Sequence, residues 1–213
     1  STPVDPRVER TMRPYFLEKF GNPGSLHSFG QEAIAALDRG RETIAAALGA
    51  DFREIIFTGS ATEANNLALR GAVKEFRDIQ KKNLKPNTYH LTPKIIVSTI
   101  EHESILETAE DLKIEGVEAI YLPVQEEGLV DLKKLESLLD ERTVVVSIMY
   151  ANNEIGTIEP IAEIGNLIKS FIREKGVLET PFSRIFPLFH TDASQAFQFL
   201  DCGVKKLGVD LMT

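Results

Sequence analysis

Apolar positions along the chain alternate between two periods. In 28–48, "SFGQEAIAALDRGRETIAAAL", Phe29, Ala33, Leu37, Ile44 and Leu48 fall near one face of a 3.6-residue helix, which Gly49 stops. The run 54–58, "EIIFT", reads as a short strand ending at Gly59. Residues 61–82 then predict a helix with Ala64, Leu67, Ala68, Gly71, Ala72, Phe76 and Ile79 inward. Strand-like "KIIVSTI" follows a polar loop, and "SILETAEDLKIEG" is helical with Ile105, Ala109 and Leu112 inward.

The alternation continues to the end of the chain. "VEAIYLPV" is a strand, and "DLKKLESLLDER" is a helix with Asp131 as its expected N-cap and Leu132, Leu135, Leu138 and Leu139 as its stripe. "TVVVSIMYA" is a strand leading to "NNEIG". A helix starts near Pro160, turns Ile161, Ile164, Ile168 and Ile172 inward and stops at Gly176. Strands at "IFPLFHT" and "GVDLMT" complete the series. Strands alternating with helices of this length predict an α/β fold in three layers, a mostly parallel sheet with helices on both faces. The pattern reads as one domain, with no internal repeat; the polar connections 78–93 and 177–187 read as insertions.

Composition narrows the function classes. The 213 residues carry a formal charge of −8, which argues against nucleic acid as a main partner. No apolar run approaches the ~18 residues of a membrane span, and "STPVDPRVER" lacks a basic-then-apolar leader, so a cytoplasmic address is the default. The single cysteine, Cys202, excludes an internal disulfide, and the four histidines show no metal-ligand spacing. Cys202 stands near Lys205 and Lys206, but a lone cysteine is more often inert than nucleophilic.

In an open parallel sheet, ligands gather beyond the carboxyl ends of the strands. Here those ends deliver Gly-Ser-Ala-Thr-Glu (59–63), Glu-His-Glu-Ser (101–104), Asn-Asn-Glu-Ile-Gly (152–156) and Asp-Ala-Ser-Gln (192–195). Each has a plain alternative: "SATE" matches a capping box, His102 and Asp192 can cap the turns that follow them, and "NNEIG" can be a simple turn. Together they describe a pocket for an anionic, aromatic ligand. Pyridoxal phosphate fits such a set: a helix N-terminus for its phosphate, a stacking side chain, a carboxylate for its ring nitrogen and amides for its 3-oxygen.

The segments "TPVDPRV", "FGNPGSLHSFGQEA", "FTGSATEANNLAL", "STIEHESILET", "YLPVQEEGLVDLKKLE", "VSIMYANNEIGTIEPI" and "HTDASQAF…KKLGVDLMT" resemble the cysteine desulfurases. These are class V, fold-type I enzymes that use pyridoxal phosphate. The resemblance runs over nearly the whole chain in the same order. It implies that Ala61 and Thr62 bind the cofactor phosphate, and that His102 stacks on the ring and takes part in proton transfer. It further implies that Asn153 lies near the 3-oxygen and the substrate carboxylate, that Gln195 serves the 3-oxygen and that Asp192 partners the pyridine nitrogen. The implied reaction takes sulfur from L-cysteine and leaves alanine and an enzyme-bound persulfide. The implied partners are sulfur-acceptor or iron–sulfur scaffold proteins, and a homodimer is expected of the full-length protein.

Departures from the family pattern qualify this. The phosphate loop reads Gly59-Ser60 where the family has Ser-Gly. The chain reaches Thr213 before the family's Schiff-base lysine, acceptor cysteine, substrate-carboxylate arginine and small C-terminal domain. Residues 1–213 are therefore expected to be part of a large domain, unable to complete the reaction alone. A related class V enzyme (a selenocysteine lyase or an aminotransferase) would share the retained motifs, and a non-catalytic scaffold fragment is the remaining alternative.

Overall fold

The computed structural model describes residues 3–83, 91–175 and 186–213. The chain divides into two compact units, one ending at Ile56 and one running from Phe57 to Thr213.

The first unit is helical. Asp5 accepts the backbone N–H of Arg7 and caps α1 (Pro6–Met12), whose first residue is a proline with no N–H to satisfy. A one-turn α2 (Pro14–Leu17) precedes α3 (Ser28–Leu48), which is capped by His27 and ends at Gly49 with φ 64°. Of the expected α3 stripe, Phe29 and Leu37 are exposed, and Ala45 is the buried apolar side chain. The strand expected over 54–58 does not form. Phe52–Glu54 make a 3₁₀ turn closed by a capping box between Asp51 and Glu54, and residues 55–58 run without a ladder. A β-branched run is a strand only when a neighbouring strand takes its N–H and C=O groups, and the described sheet offers it none.

The second unit holds the predicted sheet. The chain passes through α4 (Ala61–Asn83), β1 (Lys94–Ser98), α5 (Glu103–Ile114), β2 (Glu118–Leu122), α6 (Leu132–Leu138) and β3 (Thr143–Ser147). It continues through α7 (Ile161–Lys175), β4 (Leu188–Thr191), α8 (Val204–Leu207) and β5 (Leu211–Met212). The five strands are parallel in the order β2-β1-β3-β4-β5. Alternate side chains of each strand feed opposite cores. Ile95, Val97 and Val145 pack with Leu69, Val73 and Phe76 of α4 and Ile105, Ala109 and Leu112 of α5. Ile96, Val146 and Phe189 pack with Leu135 of α6, Ile164 and Ile168 of α7 and Leu207 of α8. Both faces are therefore covered, as continuous apolar strands require.

Helix stripes hold for α5 and α7 as expected, and α4 keeps Ala68, Ala72, Phe76 and Ile79 inward but turns Leu67 and Gly71 out. Leu67 is 52% exposed, and the buried line runs Asn65, Leu69, Ala72, Val73, Phe76. Asp131 caps α6 by accepting from Lys133 and Lys134 N–H. The expected stop at Gly176 and much of the two polar insertions lie outside the described residues. None of the described helices is long and apolar enough to cross a membrane.

Candidate cofactor site

The strand order reverses between β1 and β3: the chain leaves β1 through α5 toward β2, and leaves β3 through α7 toward β4. This is the crevice where open α/β sheets bind ligands. Two side chains stitch it together. Glu101, just past β1, accepts the Met149 N–H at 2.7 Å, and Asn152 donates to Ile100 O at 3.0 Å. Asn152 also accepts from Glu154 and Ile155 N–H, so it shapes its turn from within. Asn153, the residue expected to face a cofactor, is exposed and makes no side-chain hydrogen bond among the described residues.

Asp192 follows β4 and is 7% exposed. Its Oδ1 accepts from Ser194 N–H at 2.9 Å, and its Oδ2 from the Asn65 amide at 2.8 Å. The turn-capping expected of Asp192 is met at Oδ1, and the same carboxylate is buried against Asn65. It has no ion pair among the described residues, although burying an unpaired carboxylate is costly. Gln195 sits exposed on the turn that Ala196 and Phe197 N–H close onto Ala193 O.

His102 is the N-cap of α5, with its Nδ1 accepting from Ser104 N–H at 3.1 Å. Its Nδ1 also lies 2.9 Å from Ser104 Oγ, and Ser104 Oγ takes a second hydrogen of the Asn65 amide at 2.9 Å. One connected network therefore joins His102, Ser104, Asn65 and Asp192. Ala61 and Thr62 open α4. Ser60 Oγ accepts from Glu63 N–H at 3.1 Å, and Glu63 accepts from Gly59 N–H at 2.6 Å, so the expected capping box closes one residue early. The N–H groups of Ala61 and Thr62 are among those a helix leaves without intrahelical partners, at the positive end of its dipole.

Burial sets the electrostatics around the crevice. Burial pushes the Glu101 carboxyl up to about 8, aided by the charges of Asp192 and Glu159 and opposed by the hydrogen bonds from Ser98 and Met149. Burial also raises Glu159 to about 7 and lowers His190 to about 4. His190 is enclosed between Ser147 Oγ and Thr213 Oγ1, at 2.9 and 3.1 Å. Cys202 is buried, and burial raises its thiol further, so it lacks the lowered pKa of a nucleophile.

The donor set suits pyridoxal phosphate. Asp192 keeps lone pairs unused by its two N–H donors, and an exposed histidine is tied to the same network. No described lysine joins it: Lys94 pairs with Asp140, and Lys206 with Asp201. Asn65 was not expected from the sequence, and Ser104 only as one of the strand-end set 101–104. Their one signal is position, since Asn65 extends the Leu69–Ala72–Phe76 stripe and Ser104 extends Thr108–Leu112.

The aminotransferase class-V family model matches residues 1–213. The cysteine desulfurase IscS of Dechloromonas aromatica (strain RCB) is 42% identical over 214 residues, spanning 100% of this chain and 47% of that protein. The cysteine desulfurase of Homo sapiens is 40% identical, spanning 100% of this chain and 41% of its own. Among solved structures, a NifS-like protein superposes with a TM-score of 0.83 at 35% identity, over 100% of this chain and 52% of that one. SspA in complex with cysteine gives 0.82 at 33%, over 100% and 55%. The chain spans less than half the length of these curated relatives.

Proposed function

Because this chain belongs to the aminotransferase class-V family, we propose that it supplies much of the cofactor-binding domain of a pyridoxal-phosphate-dependent cysteine desulfurase. One observation carries the reading. Asp192 is a buried carboxylate without a cationic partner among the described residues, and its hydrogen-bond network ends on His102. A protonated ring nitrogen would complete its charge balance.

Pyridoxal phosphate, when bound, supplies an electron sink that weakens bonds around the amino acid's α-carbon. The chain's residues then have separable tasks. The first turn of α4, with Ala61 and Thr62, holds the phosphate through N–H groups and the Thr62 hydroxyl. Asp192 holds the ring nitrogen protonated. His102 Nδ1 is engaged by Ser104, which leaves the exposed ring its face for stacking and its Nε2 for moving a proton. Asn153 and Gln195 offer exposed amides for oxygen atoms of cofactor or substrate. Relatives named cysteine desulfurase support L-cysteine as the substrate. A homodimer, sulfur-acceptor or iron–sulfur scaffold partners and a cytoplasmic setting belong to the same proposal for the full-length protein.

The test is turnover by the full-length protein supplied with pyridoxal phosphate, L-cysteine and a thiol reductant. Alanine and sulfide in equal amounts, lost in the Asp192→Asn variant, is the expected result. Transamination of another amino acid with L-cysteine untouched would overturn the desulfurase reading and assign a different class V reaction.

A further inference from the structure

The amide of Asn65 is wholly buried in the second turn of α4 and touches two residues from different elements. Its Nδ2 donates to Asp192 Oδ2 at 2.8 Å and to Ser104 Oγ at 2.9 Å. Its Oδ1 is buried with no hydrogen-bond partner among the described residues. Flipping the amide would set that oxygen against the Asp192 carboxylate, so the assigned orientation is the one the chemistry permits.

Donor and acceptor roles along the network follow from that orientation. A carboxylate only accepts, and Asp192 receives an N–H at each oxygen. Asn65 therefore spends one hydrogen on Asp192 and its other on Ser104 Oγ. Ser104 Oγ has a second lone pair, so Asn65 alone does not fix its role; with the Ser104 backbone N–H already on His102 Nδ1, the hydroxyl turns its own proton to that nitrogen, 2.9 Å away. The Ser104 backbone N–H, 3.1 Å from the same nitrogen, makes the same demand. Both donors need a lone pair on Nδ1, which leaves the proton of the neutral ring on Nε2.

We propose that Asn65 and Ser104 are positioning residues that transmit the accepting state of Asp192 to His102 and hold its imidazole in the Nε2–H tautomer. Neither residue need touch cofactor or substrate. The proposal rests on the cofactor-site reading only for the use made of His102. The tautomer itself is a property of the chain, so its measurement can fail while cofactor binding stands, and the converse.

The experiment is long-range ¹H–¹⁵N correlation spectroscopy of the ¹⁵N-histidine-labelled chain without cofactor, at a pH where the ring is neutral. The His102 signals are assigned by their loss in His102→Gln. The expected result is an unprotonated Nδ1 and a protonated Nε2 on His102. In Asn65→Asp the Ser104 hydroxyl turns to the new carboxylate, and the Nδ1–H population rises by about fivefold, the size that one net hydrogen bond supplies. Ser104→Ala, which removes the hydroxyl but leaves the backbone donor, moves the ratio the same way and carries the test if Asn65→Asp does not fold. A ring protonated on Nδ1 in the parent chain, or an unchanged ratio in folded variants, would overturn the proposal.

Discussion

Glu101 Oε1 accepts the backbone N–H of Met149 at 2.7 Å, tying the end of β1 to the end of β3 across the crevice. Ser98 donates to the same oxygen at 2.6 Å, while Oε2 is buried without a partner among the described residues. This carboxyl is held next to His102 in the chain, so its protonation bears on the shape of the site. Its folded-state value of about 8 lies above the ordinary 4.5, so the folded chain binds that proton more tightly than the unfolded chain. The stabilisation is complete below 4.5 and is lost as pH rises to about 8. Urea midpoints measured across that window should fall with pH in the parent chain. They should fall less in Glu101→Gln, with a residue of the same sign left by Glu159.

His190 works in the opposite sense. Its folded value of about 4 lies below the ordinary 6.5, so the unfolded chain takes up the proton first. The stability it contributes is complete above 6.5 and is lost as pH falls to about 4. His190→Gln removes this opposing contribution, so its urea midpoints should fall more steeply than the parent's between about pH 4 and 6.5 and run parallel to them above 6.5.

Two helix glycines should respond oppositely to alanine. A Cβ on Gly165 of α7 would stand 2.7 Å from Leu207 O and 3.2 Å from Gly208 O, both backbone atoms that cannot rotate aside. Gly165→Ala should therefore cost about 1–2 kcal/mol, overpacking outweighing the gain in helix propensity. A Cβ on Gly71 of α4 meets nothing within 4 Å, and Gly71→Ala should stabilise by up to about 1 kcal/mol. Thermal midpoints of the two variants check the pair.

The parallel sheet was legible because its strands are continuous apolar runs separated by helices whose stripes have the right period. The strand expected at 54–58 failed because β-propensity does not supply a partner for the ladder. His102 and Asp192 were legible as strand-end residues, and the structure ties them into one network. Asn65 was not, because a polar residue in a helix ordinarily reads as surface, and Ser104 was legible only as one of the strand-end set 101–104. Only the observed stripe of α4, with Leu67 outside and Leu69 inside, reveals Asn65 as a core position. Asn152, to which the resemblance gives no role, builds the turn that leaves Asn153 exposed.

We propose above all that Asp192, His102 and the start of α4 form a pyridoxal-phosphate site. Equilibrium dialysis of the chain against pyridoxine 5′-phosphate, which has no aldehyde to react with surface lysines, tests it most directly. The account predicts saturable binding at one site, weakened about tenfold or more in Asp192→Asn through loss of a charge-assisted hydrogen bond. No saturable binding, or equal binding by the folded Asp192→Asn chain, would contradict it.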